Sequence, residues 1–294
     1  MKLELKDINK SFGEKHVLKG IDLTAESGAA LGILGRNGAG KTTTIRIIMD
    51  VFPADSGEVL FDGQKRNSPK IGYLPEERGM YPKKPIIRQL TYFAELKGMN
   101  PRDAVKSIDY WLERLGMSEY RNKRLETLSK GNQQKIQLIS AISFDPDIVI
   151  LDEPFSGLDP VNAMLLKDIV RELISKGKIV LFSSHQMNYI EEFCDNIAIL
   201  NGGSIVLSGG LREIKRNYRR DKLVVSSREN AKIAEYVGSG NASMEKDHLM
   251  IKLSDPSEKH EMMRALSDKF DIDEIKVFEP SLNDIFVEYT EGQI

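Results

Sequence analysis

Gly35-Arg36-Asn37-Gly38-Ala39-Gly40-Lys41-Thr42-Thr43, set between the apolar run Ala30-Leu31-Gly32-Ile33-Leu34 and the stretch Ile45-Arg46-Ile47-Ile48-Met49, decides how the rest of the chain is read. It fits G-x-x-x-x-G-K-[ST] in the order that gives the pattern meaning: strand, loop, helix. Glycines let such a loop wrap closely around a polyphosphate, with backbone N–H groups and a helix N-terminus facing the negative charge. Asn37, Gly38, Ala39, Gly40 and Thr43 are therefore expected against a nucleotide. Lys41 should reach the β and γ phosphates, and Thr42 should place its hydroxyl on Mg²⁺. The loop predicts a bound nucleoside triphosphate and is silent about its use.

The chain has 294 residues, 40% of them hydrophobic, which suits one large domain with a small one, or two domains. Its 42 lysines and arginines stand against 44 aspartates and glutamates, so the formal charge of -2 offers no electrostatic case for a nucleic-acid partner. The single Cys194 cannot form an internal disulfide. Met1-Lys2-Leu3-Glu4-Leu5-Lys6 is too charged to begin a secretory leader, and no apolar run approaches the ~18 residues of a membrane span. The expectation is a cytoplasmic, soluble chain that meets membranes through another protein.

Upstream of the loop, Leu3-Glu4-Leu5-Lys6 and Val17-Leu18-Lys19-Gly20-Ile21-Asp22-Leu23 alternate around the turn-like Phe12-Gly13-Glu14-Lys15, which predicts antiparallel strands with one solvated face. Phe12 reads either as a ring that stacks on a purine or as a core residue at a strand end. Downstream, Val59-Leu60-Phe61 and Ile71-Gly72-Tyr73-Leu74 read as strands. Residues 75–85 carry three prolines (Pro75, Pro82 and Pro85) and form a long surface loop, either a contact surface or a linker. Residues 86–144 read helical. Val105, Ile108, Leu112 and Leu115 share a face with Trp111 packed beside it, and a second helix starts near Gly131 and stops at Asp145-Pro146-Asp147.

Two further strands end in polar tips. Ile148-Val149-Ile150-Leu151 runs into Asp152-Glu153-Pro154, and Ile179-Val180-Leu181-Phe182 runs into Ser183-Ser184-His185. Open α/β sheets build sites at such carboxyl ends. Asp152 is expected in the Mg²⁺ shell opposite Thr42, Glu153 to orient or deprotonate the attacking water, and His185 to touch the γ phosphate. His16, His248 and His260 stand in polar surroundings and read as surface residues. A hairpin (Ile197 to Leu207), a short helix (Leu211 to Tyr218) and a linker (Arg219-Arg220-Asp221-Lys222) lead to a small module. It shows strands at Leu223-Val224-Val225, Leu249-Met250-Ile251 and Ile275-Lys276-Val277, and helices near 229–238, 256–269 and the terminus.

At this point the chain up to about residue 220 resembles the nucleotide-binding subunit of an ABC transporter. Leu128-Ser129-Lys130-Gly131-Asn132-Gln133-Gln134 matches the family's signature, Ile148 to Glu153 its Walker B strand, Ser156-Gly157-Leu158-Asp159 its D-loop and His185 its H-loop. Phe12, with Val17, matches the adenine-stacking A-loop position. The resemblance implies a P-loop NTPase ABC cassette of α/β class over residues 1–220: a mixed sheet core, an antiparallel β subdomain and a helical subdomain at about 86–144. A small α+β domain would follow at 221–294. It implies ATP hydrolysis with Mg²⁺, and a homodimer or paired subunit in which Ser129 and Gly131 of one copy, with Asp159 nearby, close over the phosphates held by the other.

Two positions depart from the family pattern. The signature is usually Leu-Ser-Gly-Gly-Gln, and here Lys130 and Asn132 stand in it while Ser129 and Gly131 are kept. The Q-loop position carries Glu76, which can still ligate Mg²⁺ and counts among the expected catalytic residues. With the tail Glu279-Pro280-Ser281-Leu282-Asn283-Asp284-Ile285-Phe286, these features are similar to the subgroup that pairs with ABC-2 type permeases, including sodium and drug or antimicrobial-peptide exporters. That implies a separate membrane permease contacting residues 76–85, at the cytoplasmic face of the membrane. The alternative is a soluble ABC ATPase acting on a macromolecular assembly; one cassette and near-neutral charge favour the exporter.

Overall fold

The hairpin that opens the chain is tighter and longer than its alternation suggests. In the computed structural model, which describes residues 1–291 apart from 66–68, 78, 157, 219–220 and 239, β1 (Lys2–Phe12) pairs antiparallel with β2 (Lys15–Glu26). Phe12 is thus the last residue of a strand, opposite Lys15, and Gly13 and Glu14 alone make the turn, with Gly13 at φ +59°. β3 (Ala30–Gly35), buried at all six positions, feeds the phosphate loop and α1 (Lys41–Ile48). β4 (Ser56–Phe61) completes a three-stranded antiparallel sheet in the order β2-β1-β4.

After β5 (Ile71–Leu74), the helical stretch is three helices: α2 (Ile86–Leu96), α3 (Pro101–Arg114) and α4 (Lys130–Ile142). Gly98 and Gly116 adopt positive φ past the ends of α2 and α3, where a left-handed residue stops a helix. Asn100 then caps α3, accepting from the Asp103 N–H at 2.9 Å with Pro101 in the first turn. Trp111 is buried with Ile108 and Leu112, as expected of a packing residue.

The second sheet is built from β5, β6 (Ile148–Asp152), β7 (Ile179–Ser183), β8 (Asn196–Asn201) and β9 (Ser204–Gly210) around β3, in the order β5-β6-β7-β3-β8-β9. All its neighbours pair parallel except β8 and β9. β6 and β7 are buried on both faces, which is why they read as unbroken apolar runs. α5 (Pro160–Ser175) connects β6 to β7, and α6 (Met187–Phe193) leads from β7 to β8. Both sheets share one core, in which Leu3, Leu5, Ile8, Ile33, Ile45, Ile150 and Leu181 meet.

Contacts divide the chain into one unit of Met1–Leu211 with Phe286 onward and another of Arg212–Ile285. α7 (Leu211–Asn217) comes first, and the proposed linker residues Arg219 and Arg220 lie outside the described residues, whereas Lys222 already belongs to a strand. β10 (Lys222–Ser226), α8 (Asn230–Val237), β11 (Ala242–Glu245), β12 (His248–Lys252), α9 (Lys259–Lys269) and β13 (Glu274–Val277) form an antiparallel sheet, β11-β12-β10-β13, with Leu223, Val225, Ile233, Ile251 and Leu266 in its core. β11 escaped the sequence reading because three of its four residues are exposed at a sheet edge. α10 (Leu282–Glu291) ends the described chain. Among the described residues no helix is long and apolar enough to cross a membrane.

Close packing of β5 against α4 makes Gly72 obligatory: a Cβ there would lie 2.0 Å from the Ala141 carbonyl oxygen. Gly72→Ala should destabilise the protein by about 1–3 kcal/mol through overpacking, lowering the thermal midpoint by about 2–10 °C for a chain of this size. Gly79→Ala, at a position open to solvent, should leave the midpoint unchanged in the same melting experiment.

Candidate nucleotide site

Asp152 pairs with Ser183 across β6 and β7, and Ser183 pairs with Ile33 of β3. That register delivers three polar tips to one edge of the sheet: the phosphate loop, Asp152-Glu153 and Ser183-Ser184-His185. A cavity of about 860 Å³ lies there. Phe12, Val17, Asn37, Gly38, Gly40, Lys41, Thr42, Thr43, Glu76, Asp152, Glu153 and His185 all line it, and Ala39 is buried beneath the loop. Gly40 holds φ +111°, and a Cβ on it would collide with the Leu18 side chain at 2.6 Å.

Lys41 folds along its own loop, its Nζ donating to the Gly35 carbonyl at 2.6 Å and the Arg36 carbonyl at 3.3 Å. Burial lowers the pKa of its ammonium, and the charges of Glu153, Asp152 and Glu76 work against that fall. Glu153 is 5% exposed and sits at φ +49°, an uncommon conformation for a residue with a side chain. Three donors hold its carboxylate. The Ser184 hydroxyl donates to Oε2 at 3.0 Å, and the His185 backbone N–H and Nδ1 reach Oε1 at 2.8 Å and 2.6 Å. Burial still raises this carboxyl above its ordinary value, while the Ser184 and His185 contacts oppose the rise and Glu76 adds to it. A carboxylate so tuned can accept a proton from a water beside it.

Asp152 receives the Tyr73 hydroxyl at 3.3 Å from the adjacent strand. Burial and the neighbouring Asp152 charge push the Tyr73 phenol up to about 12, so it stays a donor. Behind Glu153, Phe155 stacks on Tyr189 with centroids 3.9 Å apart, and Phe182 and Phe193 extend the stack. These rings brace the loop after β6 against the helix after His185. Sequence reading placed Ser183 and Ser184 next to His185 without a task, and it gave Tyr73 and Phe286 no place in the site. Tyr73 carried a signal, a polar tip in an apolar strand; Phe286, from the far end of the chain, carried none.

Ser129, Gly131 and Asp159 are elsewhere. Ser129 caps α4, accepting from the Asn132 N–H at 3.4 Å, and is exposed. Asp159 caps α5, accepting from the Asn162 N–H at 3.0 Å. Gly131 faces Leu158 and Asn162, so the two segments form a cluster of their own. Gly157 of the D-loop lies outside the described residues. One strut joins this cluster to the cavity edge: the Gln134 side-chain amide donates to the Pro154 carbonyl at 2.6 Å. His16, His248 and His260 do not line the cavity; the first and last are exposed and His248 is half-buried.

The donor set suits a hard cation shared with a ligand. Among the described residues no group of three or more His, Cys, Asp or Glu side chains is arranged to hold a metal alone. Thr42, Glu76 and Asp152 offer oxygen only, and the buried Ser183 hydroxyl, which has no partner, borders the same cavity. Magnesium bound mainly through phosphates and waters asks for this kind of sparse oxygen wall.

Comparison with known proteins agrees with the geometry. Residues 18–156 match the ABC transporter family, and residues 209–290 match the C-terminal domain of DrrA1-3-like ATP-binding proteins. The chain is 43% identical over 290 residues to the uncharacterized ABC transporter ATP-binding protein YhaQ of Bacillus subtilis, covering 97% of each. It is 32% identical to the linearmycin resistance ATP-binding protein LnrL of Bacillus subtilis, over 70% of this chain and 68% of that one. Among solved structures, an ATP-binding subunit of an ABC transporter superposes with a TM-score of 0.69 at 27% identity, over 74% of this chain and 93% of that one.

Because the Ser184 bond favours the charged carboxylate, Ser184→Ala should raise the Glu153 carboxyl further. Protonation then removes the ionised form at higher pH. The acid limb of the ATPase pH profile should move upward by about 0.5–1 unit, with the rate on the plateau less affected.

Proposed function

The chain belongs to the ATP-binding subunits of ABC transporters, and from this premise we propose that two copies close head to tail to hydrolyse ATP and so drive export through a separate ABC-2 type permease. One observation carries the dimer: Ser129 and Gly131 do not line the cavity that holds Lys41, Thr42 and Glu153. The exposed N-terminus of α4 offers a hydroxyl, the Gly131 N–H and the Lys130 charge to an anion. These groups complete the site only when a second copy brings them.

In the closed pair Phe12 and Val17 meet the base, while the loop from Asn37 to Thr43 cradles the phosphates. Lys41 neutralises charge at the β and γ positions. Thr42, Asp152 and Glu76 would hold Mg²⁺, which would supply charge neutralisation at the phosphates. Glu153 takes the proton of the attacking water. His185, whose side chain is 71% exposed although its Nδ1 is tied to Glu153, contacts the γ phosphate and keeps the carboxylate aimed. Asp159 approaches the opposite phosphate loop. The subunit works as an ATPase at the cytoplasmic face of the membrane, peripheral through its permease.

The permease is assigned to residues 76–85 and the helices beside them. A second cavity of about 780 Å³, with Val51, Phe93, Leu96 and Phe144 in its walls, shares Thr42, Glu76 and Asp152 with the nucleotide cavity. Tyr81, Tyr92 and Leu96 are exposed in this region. The DrrA1-3-like C-terminal domain and the likeness to a linearmycin resistance ATP-binding protein support export. Residues 221–294 are read as an accessory domain with a dimer-contact or regulatory role.

Two measurements test this. Glu153→Gln with ATP should run as a dimer in size-exclusion chromatography with light scattering, while the nucleotide-free protein runs as a monomer; a monomer under both conditions would sink the composite site. Affinity purification from membranes should recover a multi-span protein, and recovery with ribosomes instead would favour a soluble assembly ATPase.

A further inference from the structure

Phe286 lines the nucleotide cavity although it stands on the last helix of the chain, and no part of the reaction above uses it. Two more contacts bring the same helix end to the same place. The Glu291 carboxylate pairs with the Arg36 guanidinium, inside the phosphate loop itself. The Asn201 side-chain amide donates to the Tyr289 carbonyl at 3.3 Å. Asn201 ends β8, the strand whose Leu200 pairs with Gly35 at the mouth of the phosphate loop. Three attachments to one neighbourhood, one of them across 255 positions of sequence and another across 88, define a docked helix end and not a trailing tail.

The helix presents a consistent face. Phe286, Tyr289 and Thr290, three and four positions apart, are half-buried or buried, while Val287, Glu288 and Glu291 are exposed. Phe286 is an apolar ring in a cavity that Lys41, Glu76, Asp152 and Glu153 line with their charges and that Phe12 and Val17 line as its other apolar walls. It has nothing to offer phosphate or metal. Its surface suits the part of a nucleoside triphosphate that is not charged, the base or the ribose face.

We propose that residues 286–291 are part of the nucleotide site. Phe286 is a second aromatic contact for the bound nucleotide beside Phe12, and Glu291 is a positioning residue that ties the helix to the phosphate loop through Arg36. The proposal rests on reading this cavity as the ATP site. It has a thermodynamic corollary: if docking of the helix strengthens nucleotide binding, nucleotide must strengthen docking of the helix by the same factor.

Both sides of that linkage are measurable in the full chain with ATP as the probe. In the parent protein, ATP should slow amide hydrogen exchange across residues 286–291. By calorimetry, Phe286→Ala should weaken ATP binding about tenfold, the loss of one stacked ring, while Phe286→Tyr stays within about twofold of the parent. Glu291→Gln should speed exchange across 286–291 and weaken binding by about two- to threefold, a difference that salt should erase because the pair is exposed. Unchanged exchange at 286–291 on adding ATP, a reading that needs no variant to fold, would overturn the proposal, as would parent-like affinity in a folded Phe286→Ala. Lys41→Ala separates the two levels: if it too binds ATP as the parent does, the cavity is not the nucleotide site and the proposal falls with it, whereas loss of binding in Lys41→Ala beside normal binding in Phe286→Ala overturns the proposal alone.

Discussion

The register of three parallel strands is the constraint on which the rest depends. Asp152 sits beside Ser183, and Ser183 beside Ile33, so three chain segments leave the sheet at one level. Every residue of β3, β6 and β7 is buried. A slip of one residue would turn each side chain to the opposite face and drag Asp152 into the apolar layer or lift it clear of the phosphate loop. Fully buried strands have no solvated face to tolerate such a slip, so packing and site geometry are specified together.

Glu153 shows what that placement costs and how the cost is met. A nearly buried carboxylate is unfavourable unless its oxygens are satisfied, and a positive φ at a residue with a side chain adds strain. Three donors from the neighbouring strand end engage both oxygens. They do not restore the ordinary carboxylate range, because burial outweighs them. The balance leaves a carboxylate more basic than an exposed one and fixed in direction, which is the combination proton abstraction requires. The stacked rings of Phe155, Phe182, Tyr189 and Phe193 keep the two loops from drifting apart.

What was legible in the sequence was whatever local chemistry encodes. The phosphate loop declares itself through Gly40 and Lys41, and the polar tips through their place after apolar runs. The helical reading over 86–144 gave two helices where the structure has three, because Gly98 was weighed too lightly against a strong apolar period. β11 was lost because an exposed edge strand lacks the alternation that marks a half-buried one. Tyr73, Ser184 and Phe286 belong to a different class. Their importance lies in which strand or helix end they meet, and strand order is not written in any one segment. Neither Tyr73 against Asp152 nor Phe286 in the wall of the same cavity follows from spacing.

Glu76 illustrates why a departure from a family pattern need not break the device. Together with Thr42 and Asp152 it lines both the nucleotide cavity and the neighbouring groove. A side chain in that wall is felt from both sides whether it ends in an amide or a carboxylate. The carboxylate gives up a donor and brings a charge, which registers in the raised pKa of Glu153 and opposes the lowering of that of Lys41. The charge of residue 76 therefore acts on the Glu153 carboxylate and the Lys41 ammonium together. Glutamine in the same place could act only through contacts. At residue 76 the carboxylate thus adds to any contacts a charge that both Glu153 and Lys41 feel.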